Sequence, residues 1–335
     1  MHLPAFRTKL SRRLAVALAV ATAAGALLPS AANARDEWPS KPIRIVVPYA
    51  PGGTSDAVAR LLGERLHAAL GQPVIIENRP GASGTTGMDA VAKAAPDGHT
   101  LAFAAISPLT LNPHLQRVPY DPMKDLAPVA QVMYSPVYLV ATSAFNGKTF
   151  ADAIAQAKAR PGQINLASSG MGSIGHLMLE QIDRKADVRF NHIPYKGGGQ
   201  VVNDAVGGQF DLFTANPSPA VNGLITQGKL RVLAVAAPQR LPAMPEVSTL
   251  TELGHPDANL SSVFGVFAPA RTPREVLVRL NTEINKVLAE ADVKDRLANL
   301  DNVVSTSTIE AFTVRVQREY AANATLIREA GIKLD

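Results

Sequence analysis

Pro42-Ile43-Arg44-Ile45-Val46-Val47-Pro48-Tyr49-Ala50-Pro51-Gly52-Gly53-Thr54-Ser55-Asp56 joins a short β-branched run to a Gly-rich turn and the first residues of a helix. Beyond it, Val58, Leu61, Leu62, Leu66 and Leu70 recur at helical spacing until Gly71. The order strand, small-residue loop, helix then repeats. Val74 to Asn78 reads as a strand, Pro80 to Gly84 as a loop, Thr85 to Ala95 as a helix stopped by Pro96-Asp97-Gly98, and Thr100 to Ile106 as a third strand. Alternation of this kind predicts an α/β fold with mostly parallel sheets.

Leu126 to Thr142 reads as extended chain broken by Pro128 and Pro136, which suits a crossing between domains. A second set of units follows: helix 150–160, strand 164–167, loop 168–173, helix 174–185, strand 189–194, loop 195–199, helix 200–206, strand 211–214, helix 220–227 and strand 230–236. At Val263 to Ala268 the chain returns to extended structure, and helices 272–289, 293–300 and 309–330 close it. At 335 residues two domains of ordinary size are expected. We assign 35–136 to a first domain, 137–259 to a second, and 260–335 to a return into the first.

With 47% hydrophobic and 18% charged residues the chain can build packed cores, and 24 Gly and 25 Pro lie well below the low-complexity range. Arg7, Lys9, Arg12 and Arg13 stand in a stretch, 1–34, without Asp or Glu; beyond it 29 basic residues face 28 acidic ones. The body thus has no bulk charge for nucleic acid or an anionic membrane. Residues 1–34 read as a secretory signal, with a basic start, an apolar run from Leu14 to Leu28 and the small-residue site Ala32-Asn33-Ala34. A membrane anchor is the alternative, but a spanning helix needs roughly 20 apolar residues, and Ser11-Arg12-Arg13-Leu14 faintly resembles a twin-arginine signal. The expected location is periplasmic. Absence of cysteine removes disulfides, thiolate metal sites and thiol nucleophiles.

In open α/β sheets ligands gather at the carboxyl ends of the strands. Gly52, Gly53 and Thr54 open one helix, Ser173 a second and Gly197 to Gly199 a third, so three groups of unpaired backbone N–H can converge on an anion. The alternative is that Gly is common in such turns while Thr54 and Ser173 merely cap helices. Asp56 either stabilises its helix dipole or orients the loop amides. Lys196 either offsets that charge or is solvated, and Tyr49 and Tyr195 either wall the pocket or pack the core. Gly170-Met171-Gly172-Ser173-Ile174-Gly175 is a literal GxGxxG, which leaves an exported NAD(P)-dependent oxidoreductase as a rival; the next strand ends in Pro194-Tyr195-Lys196, without the acidic residue a ribose needs. There is no GxxxxGK[ST], HExxH or GxSxG, and no histidine pair at metal-ligand spacing. No catalytic residue, metal or cofactor is expected, and His176 and His192 are expected to pack or hydrogen-bond.

Trp38-Pro39-Ser40-Lys41-Pro42-Ile43, Val47 to Gly53 with Asp56 and Arg60, Glu77-Asn78-Arg79-Pro80-Gly81-Ala82, Pro96-Asp97-Gly98-His99-Thr100-Leu101, Pro194-Tyr195-Lys196-Gly197 and Gly228 to Ala234 resemble the Bug extracytoplasmic solute receptors, the TctC-like binding proteins of tripartite tricarboxylate transport. The resemblance spans essentially the whole chain after residue 34. It implies a two-lobed, type II-like flytrap with two crossings that closes on a small organic carboxylate, functions as a monomer and meets TctA/TctB-like membrane subunits or, alternatively, a signalling partner. It further implies ligand contacts at Ala50, Gly52, Gly53, Thr54, Ser107, Ser168, Ser169, Gly172, Ser173, Tyr195, Gly197 and Asn216; Tyr49 and Asp56 join this set from the loop reading. His99 stands where the family usually has Tyr, and Phe264 where Trp is common.

Overall fold

The computed structural model describes residues 38–330 together with His2. The signal segment expected at 1–34 therefore lies, apart from His2, outside the described residues. From Pro39 onward the chain forms one compact unit, and it contains two separate sheets.

The first sheet has the order β11-β4-β10-β3-β1-β2. Its members are β1 (Ile43–Val47), β2 (Val74–Asn78), β3 (Thr100–Ala105), β4 (Leu126–Ser135), β10 (Ser262–Pro269) and β11 (Val303–Val304). The second has the order β7-β6-β8-β5-β9. It contains β5 (Val137–Ala141), β6 (Asn165–Ser168), β7 (Asn191–Pro194), β8 (Leu212–Ala215) and β9 (Arg231–Ala236). The helices are α1 (Thr54–Leu70), α2 (Thr85–Ala92), α3 (Ser107–Thr110), α4 (Asn112–Leu115), α5 (Phe150–Ala159), α6 (Ile174–Ala186), α7 (Gly198–Val206), α8 (Pro219–Thr226), α9 (Arg274–Ala289), α10 (Ala291–Ala298) and α11 (Ile309–Ala330).

The sheets are mixed, a correction to the expectation of mostly parallel pairing. The β1/β2, β1/β3, β6/β7 and β6/β8 pairs are parallel, as right-handed βαβ units require. The five antiparallel pairs all involve β4, β5 or β10. Those three strands flank the two passages between sheets, and a strand that enters a sheet without a crossover helix is free to run against its neighbours. Pro128 sits within β4, opposite Phe267, where the register shifts. A proline has no N–H for the ladder, and the irregularity absorbs the missing bond.

β5 is buried along its whole length. Its alternate residues serve two cores: Val137, Leu139 and Ala141 pack with Leu166, Met178, Ile182 and Leu212, while Tyr138 and Val140 pack with Val201, Phe213 and Val221 on the other face. The first sheet packs Val46, Ala102, Ala104 and Phe267 against Met88, Val91, Phe312 and Val316. Gly265 of β10 lies under the Phe312 ring, and any Cβ there would overlap it and crowd the Ala130 carbonyl at 2.8 Å. Gly265→Ala should cost about 1–3 kcal/mol through overpacking. Urea unfolding measures this, and an unchanged midpoint would mean that Phe312 has room to retreat.

Candidate functional site

A cavity of about 60 Å³ lies where the carboxyl ends of β1, β3 and β8 meet the starts of several helices. Its lining includes Gly53 and Thr54 from α1, Ser173, Ile174 and Gly175 from α6, Gly198 from α7 and Ser218 from the cap of α8. The three Gly/Ser loops expected to converge do so, and α8 adds a fourth helix start. No Asp, Glu, Lys, Arg or His is among the lining residues. The wall is made of hydroxyls, backbone, Asn216 and a few apolar groups, so charge on a bound molecule can be met only by dipoles.

Of the residues singled out in the sequence, Tyr49, Ala50, Gly53, Thr54, Ser107, Ser169, Ser173 and Asn216 line this cavity. Burial raises the Tyr49 phenol well above its ordinary range, against weaker opposing hydrogen bonds from the Ala105 backbone and Ser107. It is therefore a neutral hydroxyl. Asn216 donates to the Pro136 carbonyl at 2.9 Å and to Ser262 Oγ at 3.0 Å, one residue beside each passage between the sheets.

Gly52, Asp56, Ser168, Gly172, Tyr195 and Gly197 are not on the wall. Asp56 Oδ2 accepts from Gly52 N at 3.1 Å, and its carboxylate pairs with Arg60 at 2.9 Å. Burial pushes this carboxyl up, but the bonds from Arg60, Gly52 and Asn78 outweigh it and the net value is lowered. Asp56 thus shapes the loop behind the site. Tyr195 packs edge-on to Phe210 and donates to Asp204 at 2.7 Å, the core alternative weighed for it. Gly197 has φ +130°, and a Cβ there would stand 2.9 Å from Ala50 N. Only glycine permits that conformation together with that approach. Lys196 is exposed and away from the cavity.

Ser168 is buried, bonding Gly170 N at 3.1 Å and His192 Nε2 at 2.7 Å. His192 stacks on His176 with ring centroids 4.4 Å apart, and His176 Nδ1 accepts from Gly172 N at 3.2 Å. Its Nε2 lies 3.4 Å from Glu180. The two imidazoles therefore brace the loop 168–173, the hydrogen-bonding role expected of them. Gly170 and Gly172 of the GxGxxG stretch abut Ser83 and Asn112, which belong to the other half of the molecule.

Sequence reading missed Ser55, Ser83, Thr214, Ser218 and Ser262 as wall residues. Ser218-Pro219 carried a usable signal, a cap residue before a proline at the first helical position. Thr214 and Ser262 carried none, since strand residues reveal their direction only once the sheets are paired. Phe264 lines the cavity and stacks on Phe103 at 6.0 Å.

A family model described as tripartite tricarboxylate transporter family receptor, TctC, matches residues 58–332. The chain belongs to this family of solute-binding receptors. It is 37% identical over 327 residues to the protein BugT of Bordetella pertussis, covering 97% of this chain and 99% of that one. Among solved structures it is similar to the periplasmic binding protein BugD, with TM-score 0.84 and 30% identity over 88% of this chain and 99% of that one. MatC from Rhodopseudomonas palustris with bound malate gives TM-score 0.82 and 31% identity, over 87% and 100%. An R. palustris protein with adipate gives 0.84 and 31%, over 89% and 99%. The fold is thus the two-lobed, mixed α/β fold of periplasmic binding proteins. Among the described residues no helix is long and apolar enough to cross a membrane, and no group of acidic or histidine side chains is arranged to hold a metal.

Burial pushes the His192 imidazole down to about 4 from the ordinary 6.5, with the neighbouring His176 adding to the effect and Glu180 opposing it. The unfolded chain then takes up a proton that the fold refuses, so this group costs stability as pH falls from 6.5 toward 4. Asp183, raised to about 7 by burial, acts in the opposite sense. A comparison with His192→Gln isolates the imidazole: the stability advantage of wild type over variant should shrink as pH drops through that window. An advantage constant with pH would mean that His192 titrates normally in the fold.

Proposed function

We propose that the chain is a periplasmic receptor that captures a small organic carboxylate between its two lobes. It then presents the closed complex to TctA/TctB-like membrane subunits. The observation that carries this reading is the meeting of helix N-termini from both sheets at a cavity wall without one charged side chain. Exposed helix N-termini favour an anion by roughly 0.3–1 kcal/mol each, and by more when partly buried. The malate and adipate held by two similar proteins have the expected chemistry. The role is binding and release of an unchanged solute by a monomer, and the leader cleaved near Ala34 delivers it to the periplasm.

The lobes in this reading are 35–136 with 260–335, and 137–259. Their loops are in contact: Thr54 Oγ1 donates to the Pro217 carbonyl at 2.7 Å, and a Cβ on Gly53 would lie 3.3 Å from Gly199 N. Only a ligand that touches both lobes favours the closed arrangement over the open one.

Ligand-free protein should gain thermal stability with at least one member of a panel of mono- and dicarboxylates and small aromatic acids. At 100 times Kd the gain is roughly 2.7 kcal/mol. No shift with any acid would remove the carboxylate reading. In the same assay Gly53→Asp should abolish the shift while keeping the ligand-free melting point within a few degrees, because it sets a charge and a wedge between the lobes. Normal affinity in that variant would take this loop out of the site.

A further inference from the structure

His176 and His192 stack behind the cavity, and both rings attach to the loop that supplies part of its wall. His176 is 3% exposed, its Nδ1 accepts from Gly172 N at 3.2 Å, and its Nε2 lies 3.4 Å from Glu180. These partners fix a neutral ring with its proton on Nε2, because an amide N–H can only donate. Gly172 directly precedes the wall residues Ser173, Ile174 and Gly175. It also abuts the other lobe: a Cβ there would overlap Asn112 Oδ1, a buried acceptor with no hydrogen-bond partner among the described residues. A displaced Gly172 thus disturbs the cavity wall and the contact between lobes together.

A proton on Nδ1 of His176 turns both ring nitrogens into donors, and two N–H groups then face each other across 3.2 Å. The Gly172 amide must let go. At His192 the loop contact survives a proton, since Ser168 Oγ, 2.7 Å from Nε2, can accept as well as donate. Burial and the neighbouring ring oppose charge on His192, so the first proton goes to the ring beside Glu180. Glu180 also balances that proton, which leaves a bound anion little net attraction and lets the lost hydrogen bond decide the sign. Asp183, one turn farther along α6 and near Arg189, is raised to about 7 chiefly by burial and is largely neutral on the acid side. The other elements packed on α6 bring Asp257, exposed on the 256–258 turn, His114 of α4, which donates to the Tyr320 carbonyl at 2.9 Å, and Arg328 of α11, exposed. Strands β6 and β8 carry no titratable side chain.

We infer that His176 is a positioning residue that couples acid capture to pH: one proton at Nδ1 releases Gly172, and affinity for the solute falls as the surroundings acidify. The inference rests on the carboxylate reading above and adds the regulation of that site. Linkage fixes the sign. The closed, loaded form needs a bare Nδ1, so it holds fewer protons than the empty form, and binding on the acid side releases a proton.

The test titrates calorimetrically, from pH 7.5 to 5.5, the acid of the panel above that raises the melting point most, malate and adipate among those tried. His176→Asn is the comparison, because its Oδ1 replaces Nδ1 as an acceptor and does not titrate. Wild-type affinity should drop relative to that of the variant by about tenfold over this range, the scale of one hydrogen bond lost at a buried donor. Protonation of the solute itself cancels in the ratio. In buffers of differing ionisation enthalpy at pH 6, wild type should release part of a proton on binding beyond what the variant releases. Parallel pH profiles, or equal proton release, overturn the inference and leave the carboxylate reading standing. If His176→Asn does not fold, the wild-type buffer series decides alone, and proton release no greater than the free acid supplies overturns it. If no acid of the panel binds wild type at pH 7.5, the carboxylate reading fails and takes this inference with it.

Discussion

The first turn of a helix presents N–H groups that its own backbone cannot satisfy, and in this protein four helices of eight or more residues begin at the wall of one cavity. The consequence is a site that is electropositive without a cation. A buried lysine or arginine would need a counter-charge whenever the cavity held no anion, because an unpaired buried charge is expensive. Peptide dipoles carry no such demand: they are fixed by the helices behind them and can meet water or solute without rearranging. The neutral Tyr49 phenol and the many wall hydroxyls extend the same principle to side chains.

Backbone can serve as the recognition surface only if nothing stands in front of it. Contact between lobes at Gly53, Gly197 and Gly199 follows from that requirement. Ala50 and Pro51 on one side meet Gly197 and Gly199 on the other at distances that a side chain would prevent. Gly53 belongs both to this contact and to the cavity wall. Asn216 adds a link to the passages themselves, since its amide bonds the Pro136 carbonyl and Ser262 while its residue lines the cavity. The cavity wall is thus one side chain away from both connections between the sheets.

The βαβ units were legible because each rests on local signals, β-branched runs closed by Gly/Ser loops and helices with clear apolar periods. Observed element ends lie within three residues of the expected ones, and several coincide. The extended stretch 126–142, expected to cross between domains, divides at Pro136 into β4 and β5, which lie in different sheets. Antiparallel pairing of β4, β5 and β10 was not legible, since the partners of β10 lie more than 120 residues away in sequence and nothing local encodes their direction. The site divides along the same line. Residues that begin helices, Gly53, Thr54 and Ser173, could be named from the sequence, whereas Thr214 and Ser262 face the cavity by strand pleat alone. Asp56, Ser168 and Tyr195 were named too, but their polar atoms serve the loops and the core behind the wall.

Those supporting residues explain how a loop as small as 168–173 can hold its amides still. Ser168 ties the Gly170 amide and is itself tied to His192, while His176 holds the Gly172 amide and reaches Glu180. Stacking the two rings 4.4 Å apart makes a rigid platform, and burial keeps His192 uncharged at neutral pH. Neutrality matters for the site. An imidazolium behind the loop would offer an anion a second point of attraction outside the cavity and would turn a fixed dipolar surface into one that changes with pH. Glu180, held below its ordinary range chiefly by its bond to His176, sits on the far side of that ring from the Gly172 amide. It therefore orients the imidazole without placing its charge on the cavity wall, which is left to the helix starts and to neutral side-chain dipoles.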